Sequence, residues 1–136
     1  MNIDLSKIKE EIKKADRIVF LGGAGVSTAS GIPDFRSPTG LYNIQNKYGV
    51  SYEEMLSHTY FYEHMDLFYD FYWDTMVAKN ALPNKAHKAL AKYENSGKFI
   101  SILTQNIDGL HQDAGSKRVY ELHGSTRRYY CEDCMK

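Results

Sequence analysis

The sequence predicts an α/β fold with a parallel sheet, and three observations in its 136 residues carry that expectation. Short apolar runs at Arg17-Ile-Val-Phe-Leu21, Phe99-Ile-Ser-Ile-Leu103 and Val119-Tyr-Glu-Leu122 read as strands. Segments with apolar residues at helical spacing separate the first two runs. Each run is followed by a glycine-rich or polar loop, and strands alternating with helices favour a parallel sheet. In such sheets ligands sit beyond the carboxyl ends of the strands, where these loops lie.

Leu5, Ile8 and Ile12 recur among Lys and Glu, which predicts an amphipathic first helix. Arg17–Leu21 reads as a buried strand, central to the sheet. Gly22-Gly-Ala-Gly25 forms a turn, Val26 to Ser30 starts a short helix, and residues 31–40, with two Gly and two Pro, form a loop. Ser51-Tyr-Glu-Glu54 has the form of a capping box. Phe61, Met65, Phe68, Tyr69, Tyr72 and Met76 make a helical apolar stripe that stops before Leu82-Pro83. Asn84 is the expected N-cap of the next helix, with Ala86, Leu90 and Tyr93 facing inward and Gly97 at its end. Thr104 to Ser116 reads as a polar loop, and His123-Gly124 leads into a strand-like patch to Tyr130.

Bulk properties narrow the class. Apolar content of 43% and charged content of 25% suit one soluble globular domain or part of one. Seventeen basic and seventeen acidic residues cancel, which argues against nucleic-acid binding through bulk charge. No window approaches the roughly 18 consecutive apolar residues of a membrane helix. Met1 to Lys14 lacks an apolar signal core, so the expected location is cytoplasmic. The only cysteines, Cys131 and Cys134, are spaced for metal or redox chemistry rather than a disulfide.

Five motifs carry chemistry. Gly23 and Gly25 would let backbone N–H groups approach a phosphate, aided by a helix N-terminus; an ordinary tight turn between strand and helix is the lesser alternative. No third glycine completes Gly-x-Gly-x-x-Gly and no acidic residue follows about 20 positions on, which disfavours a hydride-transfer dehydrogenase. Asp34, Phe35 and Arg36 stand consecutively in a loop, where Phe can cover a ligand and the charges can bind it, or where a surface turn carries a salt bridge. Gln105, Asn106 and Asp108 place two amides and a carboxylate at a strand end, suited to ribose hydroxyls and a water, or to Asx turns. His123 at the third strand end suits a general base at neutral pH. His58, His64, His87 and His111 lack that setting, and His87 reads as structural. Cys131 and Cys134 supply half of a tetrahedral zinc site, or else a redox pair or an unoccupied one.

Together these motifs resemble the sirtuin family. The resemblance rests on Gly23-Ala-Gly-Val-Ser27 with Ser30-Gly-Ile-Pro-Asp-Phe-Arg-Ser37, on Thr104-Gln-Asn-Ile-Asp-Gly-Leu-His111, on Glu121-Leu-His-Gly124 and on the cysteine pair. It runs from about Lys14 to the end, and departs at Gly22, where Thr is common. It implies an NAD-dependent protein-lysine deacetylase that moves the acetyl group to ADP-ribose and releases nicotinamide. It implies a partial Rossmann-like sheet followed by the start of a zinc-ribbon domain. Gly23, Ala24 and Gly25 would hold phosphates, and Asp34, Phe35 and Arg36 would flank ribose and nicotinamide. Gln105, Asn106, Ile107 and Asp108 would bind the nicotinamide ribose and carboxamide, with Asn106 and His123 as the catalytic pair. Cys131 and Cys134 would be two of four zinc ligands, and the protein partner would be an acetylated-lysine substrate.

The implied organisation places the first strand and NAD loop in residues 1–40, a helical insert in 41–83, the rest of the Rossmann-like part in 84–126, and the zinc module in 127–136. Relatives that remove acidic acyl groups carry Tyr and, three residues on, Arg. Here those positions are Tyr69 and Tyr72, so acetyl is expected over succinyl, whose carboxylate would lack its cation. The implied second cysteine pair, further sheet and adenine site are absent from these 136 residues, so a fragment with little activity of its own is expected. Two other readings stand beside this one: an ADP-ribosyl transferase, and a non-catalytic zinc-binding interaction module.

Overall fold

The computed structural model describes residues 4–43, 48–97 and 99–136. A three-stranded parallel sheet organises it, with β1 (Arg17–Gly22), β2 (Phe99–Thr104) and β3 (Val119–Glu121) in the spatial order β1-β2-β3. The expectation of a central first strand is therefore corrected: β2 lies in the middle and β1 at the edge of the described sheet. Nor is β1 buried on both faces as expected, for Val19 and Leu21 on one face are 65% and 67% exposed while Ile18 and Phe20 are half-buried. Gly22 pairs with Thr104 and Thr104 with Glu121, so the three strands end at one level. Two bonds extend the ladder past the ends, Gln105 N–H to Gly22 O at 3.0 Å and Leu122 N–H to Thr104 O at 2.8 Å. Three loops must then emerge side by side.

The first helix, α1 (Leu5–Lys14), forms as expected, capped by Asp4 Oδ1 through the N–H groups of Ser6 and Lys7. None of its residues is buried. After β1 the expected short helix is replaced by two 3₁₀ turns, Ala24–Val26 and Thr28–Ser30. Thr28 Oγ1 donates to Gly25 O, and Gly31 at φ +83° stops the second turn, so no α-helical hydrogen bonding develops.

The segment from Ser51 through the apolar stripe is helical but broken. It forms α2 (Tyr52–Met55), α3 (His58–Glu63) and α4 (Met65–Phe71), which continues as a π-helical turn over Tyr72–Met76. Ser51 caps α2 and Ser57 caps α3, while His64, at φ −136°, separates α3 from α4. Leu41, Tyr52, Met55, Tyr60 and Phe71 form a buried cluster there, against which Phe35, Tyr42 and Met76 pack. This second core rests on aromatic contacts such as Tyr52–Phe71, with centroids 5.6 Å apart.

Asn84 caps α5 (Lys85–Asn95) in a reciprocal box: its Oδ1 accepts from Ala86 N–H, and its own N–H donates to His87 Nδ1. The inward face is corrected from Ala86, Leu90 and Tyr93 to His87, Ala91 and Glu94. The cause is polar anchoring, because the Glu94 carboxylate accepts from the N–H groups of Lys117 and Arg118 and from Arg118 Nε at 3.0 Å. Gly97, at φ +90°, ends the helix as expected. The segment read as a polar loop contains α6 (Leu110–Asp113), and the strand-like patch to Tyr130 is a series of turns. That patch spends its polar groups on a loop instead: Thr126 N–H and Oγ1–H both donate to Ile107 O.

Candidate functional site

A cleft of about 950 Å³ opens at the carboxyl ends of the strands. Gly23, Ala24, Gly25, Asp34, Phe35, Arg36, Gln105, Asn106, Ile107, Asp108 and His123 all line it. The in-register strand ends explain the convergence: one loop leaves each strand at the same level. Cys131 and Cys134 are not part of that lining.

Within the glycine turn, Val26 N–H bonds Gly23 O and Ser27 N–H bonds Ala24 O. Those bonds leave the N–H groups of Ala24 and Gly25 outside the turn's own pattern. A Cβ at Gly25 would meet nothing within 4 Å, so the backbone is open to a ligand there. The backbone amides here belong to a 3₁₀ turn and not to an α-helix N-terminus, a correction to the sequence reading.

The 34–42 loop is closed by Leu41 N–H to Asp34 O and Tyr42 N–H to Phe35 O. Gly40 is required for this closure, since a Cβ there would lie 2.6 Å from Asp34 Oδ1 and 2.7 Å from the Phe35 carbonyl carbon. Phe35 is backed by Tyr42, with centroids 5.4 Å apart. It reaches the cleft from the edge of the aromatic core, and Arg36 beside it is exposed.

On the second loop, Asn106 Nδ2 donates to Ser27 Oγ at 2.9 Å, and Ser27 Oγ–H donates to Asp108 Oδ2 at 2.6 Å. Asp108 Oδ1 accepts from Leu110 N–H at 2.9 Å. Both candidate side chains are therefore held by one fully buried serine from the first loop. Behind Asp108 lie His87 and His111, both buried, with ring centroids 4.7 Å apart. Burial, and then the neighbouring His87, push the His111 pKa down to about 4, against a smaller opposing pull from Asp108. Burial likewise lowers that of His87. The structural reading of His87 holds, whereas His123 is exposed at the cleft.

Sequence reasoning missed the far wall. Tyr42, Leu56, Thr75 and Met76 line the cleft from the 41–83 segment, and Ser27 lies at its heart. No local spacing marks Thr75, and Met76 was read only as part of the apolar stripe; the break at His64 and the π-helical turn bring both to the cleft. Tyr69 and Tyr72, expected to bear on acyl choice, are not in the lining. Tyr72 stacks on Phe68 with centroids 6.0 Å apart, and its hydroxyl lies 3.5 Å from that of Tyr129.

The cysteines are free and exposed. The backbone N–H groups of Cys134 and Asp133 draw the Cys131 thiol below its ordinary pKa. Among the described residues no cluster of three or more His, Cys, Asp or Glu side chains is placed to hold a metal ion. No helix is long and apolar enough to cross a membrane among those residues.

The Sir2 family pattern matches residues 23–136. The chain belongs to the Sir2 family. It is 59% identical over 129 residues to an NAD-dependent protein deacetylase of Clostridium tetani, covering 95% of this chain and 52% of that protein. To the NAD-dependent protein deacetylase of Clostridium acetobutylicum it is 55% identical over 132 residues, covering 97% and 54%. Among solved structures, a Sir2 histidine variant with deacetylated p53 peptide and 3′-O-acetyl ADP ribose superposes with a TM-score of 0.85 at 41% identity, covering 98% of this chain and 52% of that one. Sir2 bound to acetylated peptide gives 0.80 at 39% identity, covering 98% and 51%. This Sir2 chain thus spans about half the length of the relatives it matches.

Proposed function

We propose that this chain carries the nicotinamide-facing and acyl-lysine-facing part of an NAD-dependent protein-lysine deacetylase. The observation that carries the reading is the convergence of all eleven expected ligand residues on one cleft. The names of the relatives at 55% and 59% identity support it.

NAD, when bound, supplies an electrophilic ribose C1′ whose nicotinamide leaves as the acyl-lysine oxygen attacks. The chain's own residues set up that exchange. Amides of Ala24 and Gly25 hold the pyrophosphate, and Asp34 and Arg36 flank the ribose and nicotinamide. Phe35, backed by Tyr42, covers the reacting face and excludes water. Asn106 and Asp108 hold the nicotinamide ribose and carboxamide, with Gln105 and Ile107 completing that wall, and Ser27 keeps both polar side chains oriented. His123 Nε2 or Nδ1 takes the proton of a ribose hydroxyl as general base.

Acetyl is the proposed acyl group, since Tyr72 stands where relatives that remove acidic acyl groups carry Arg, which leaves a succinyl carboxylate without that cation. Cys131 and Cys134 are proposed as two zinc ligands, a role their Cys-x-x-Cys spacing fits. The division into 1–40, 41–83, 84–126 and 127–136 is proposed as functional parts: the NAD loop, the aromatic wall, the catalytic strand ends and the zinc module.

The test is to incubate the protein, at its natural length, with NAD and an acetyl-lysine peptide. Free lysine, nicotinamide and acetylated ADP-ribose are expected in equal amounts, and His123→Ala should abolish all three. ADP-ribose appearing on protein while the lysine stays acetylated would replace this reading with the transferase one.

A further inference from the structure

Outside the cleft, one guanidinium ties together both ends of the segment that bears Asp108. We propose that Arg127 is a positioning residue for the Asp108 turn and thereby sets affinity for the nicotinamide end of NAD. This rests on the role proposed for Asp108 above.

Arg127 Nε donates to the Asp108 carbonyl at 3.1 Å. Its Nη1 and Nη2 donate to Asp113 Oδ1 and Oδ2 at 2.6 and 2.5 Å, a bidentate fork. Asp108 precedes α6 and Asp113 ends it, so one planar group bridges the whole short helix. The guanidinium also lies against Gly109, where a Cβ would meet Nε at 2.5 Å and Cζ at 2.7 Å. Gly109 sits at φ +74°, which favours glycine in any case. Arg127 fills the space of the side chain Gly109 lacks.

The Asp108 turn is consequently held from two sides. Ser27 and Leu110 N–H fix its carboxylate from within, and Arg127 fixes its carbonyl from without. Arg127 is itself anchored next to Thr126, whose N–H and hydroxyl both bond Ile107 O. The segment following His123 is thereby fastened to the loop that carries Asn106 and Asp108. The Arg127–Asp113 side chains remain 47% and 37% exposed, so as a surface ion pair they would contribute little. The weight falls on the carbonyl hydrogen bond and the Gly109 contact, which a lysine, with a single ammonium, cannot supply together with the fork. Arg127 does not line the cleft, so its effect on a ligand must pass through Asp108.

The test measures steady-state kinetics on the natural-length protein with NAD, acetyl-lysine peptide and nicotinamide as inhibitor. Arg127→Ala should raise KM for NAD and the nicotinamide inhibition constant together, each about fivefold. KM for the peptide should stay within about twofold. Arg127→Lys should recover less than half of that loss. Exchanging the charges, Asp113→Arg with Arg127→Asp, should leave KM for NAD raised, because the ion pair returns without the bond to Asp108. Unchanged NAD and nicotinamide constants in Arg127→Ala would overturn the proposal. So would recovery of KM by the charge exchange, or a uniform fall of every parameter with Tm. Should Arg127→Ala fail to fold, Arg127→Lys decides alone, with a threefold rise in KM for NAD expected and none fatal. A wild-type protein with no NAD-dependent deacetylation would instead remove the Asp108 role and this proposal together.

Discussion

Ser27 Oγ donates to Asp108 Oδ2 at 2.6 Å across 81 positions of sequence, joining the first strand-end loop to the second. The same oxygen accepts from Asn106 Nδ2, so one hydroxyl is donor to a carboxylate and acceptor from an amide at once. A buried hydroxyl used both ways leaves little freedom for either partner.

Ser27→Ala should therefore loosen Asp108 and Asn106 together. The carboxylate loses a charge-assisted donor, for which about 1.5–3 kcal/mol is typical. In the natural-length protein kcat/KM for NAD should fall at least tenfold while the far-ultraviolet circular dichroism is unchanged. A loss under twofold would show that the loops hold their geometry without it.

Acid should destabilise the fold through its buried imidazoles. His111 has a folded pKa of about 4, against about 6.5 when unfolded, so the unfolded chain binds more protons between those values. The stabilisation is complete above the unfolded value and is lost as pH falls from about 6.5 toward 4. His87 is shifted the same way and adds to the loss. The urea midpoint should drop markedly between pH 7.5 and 5, and His111→Phe should flatten that slope. An equal slope in the variant would assign the effect to other groups.

The second core should be sensitive at Phe71, which is fully buried among Tyr48, Tyr52 and Phe68. Phe71→Ala should cost about 3–5 kcal/mol, read from chemical denaturation. Because Phe35 packs on this cluster, KM for NAD should rise as well. A stability loss with unaltered NAD kinetics would separate the aromatic core from the cleft.

Gly40→Ala should open the 34–42 loop. The added methyl would collide with the Phe35 and Arg36 backbone at 2.7 and 2.8 Å, contacts that cannot yield by side-chain rotation. Displacing Phe35 should expose the reacting sugar, so hydrolysis of NAD without deacetylation should increase relative to acetyl transfer. A constant ratio of the two would show that Phe35 does not exclude water.

The 136 residues purified alone should give little or no deacetylation, because the chain spans about half the length of its relatives. Turnover comparable with the natural-length protein would contradict this.

The strand ends and their loops were legible because each is written locally: an apolar run, then glycines or amides. The same holds for Asn84 and Gly97, whose capping roles depend on neighbours within one helical turn. The inward face of α5 was misread because its decisive partners, the amides of Lys117 and Arg118, lie more than 20 residues away. Likewise β1 looked central because apolar composition does not state how many neighbours a strand has.

What the sequence by itself determined is the inventory of the cleft: the glycine turn, the Asp-Phe-Arg loop, the amide loop and His123 are each written in a short contiguous stretch. Only the tertiary structure decided that Thr75 and Met76 form the far wall, that Ser27 bridges two loops, and that Arg127 clasps Asp108 to Asp113. The physical reason is range. Turn and strand preferences act over a few residues, whereas these contacts depend on parallel strands ending at one level and on a helix broken at His64, and no short window of sequence records either.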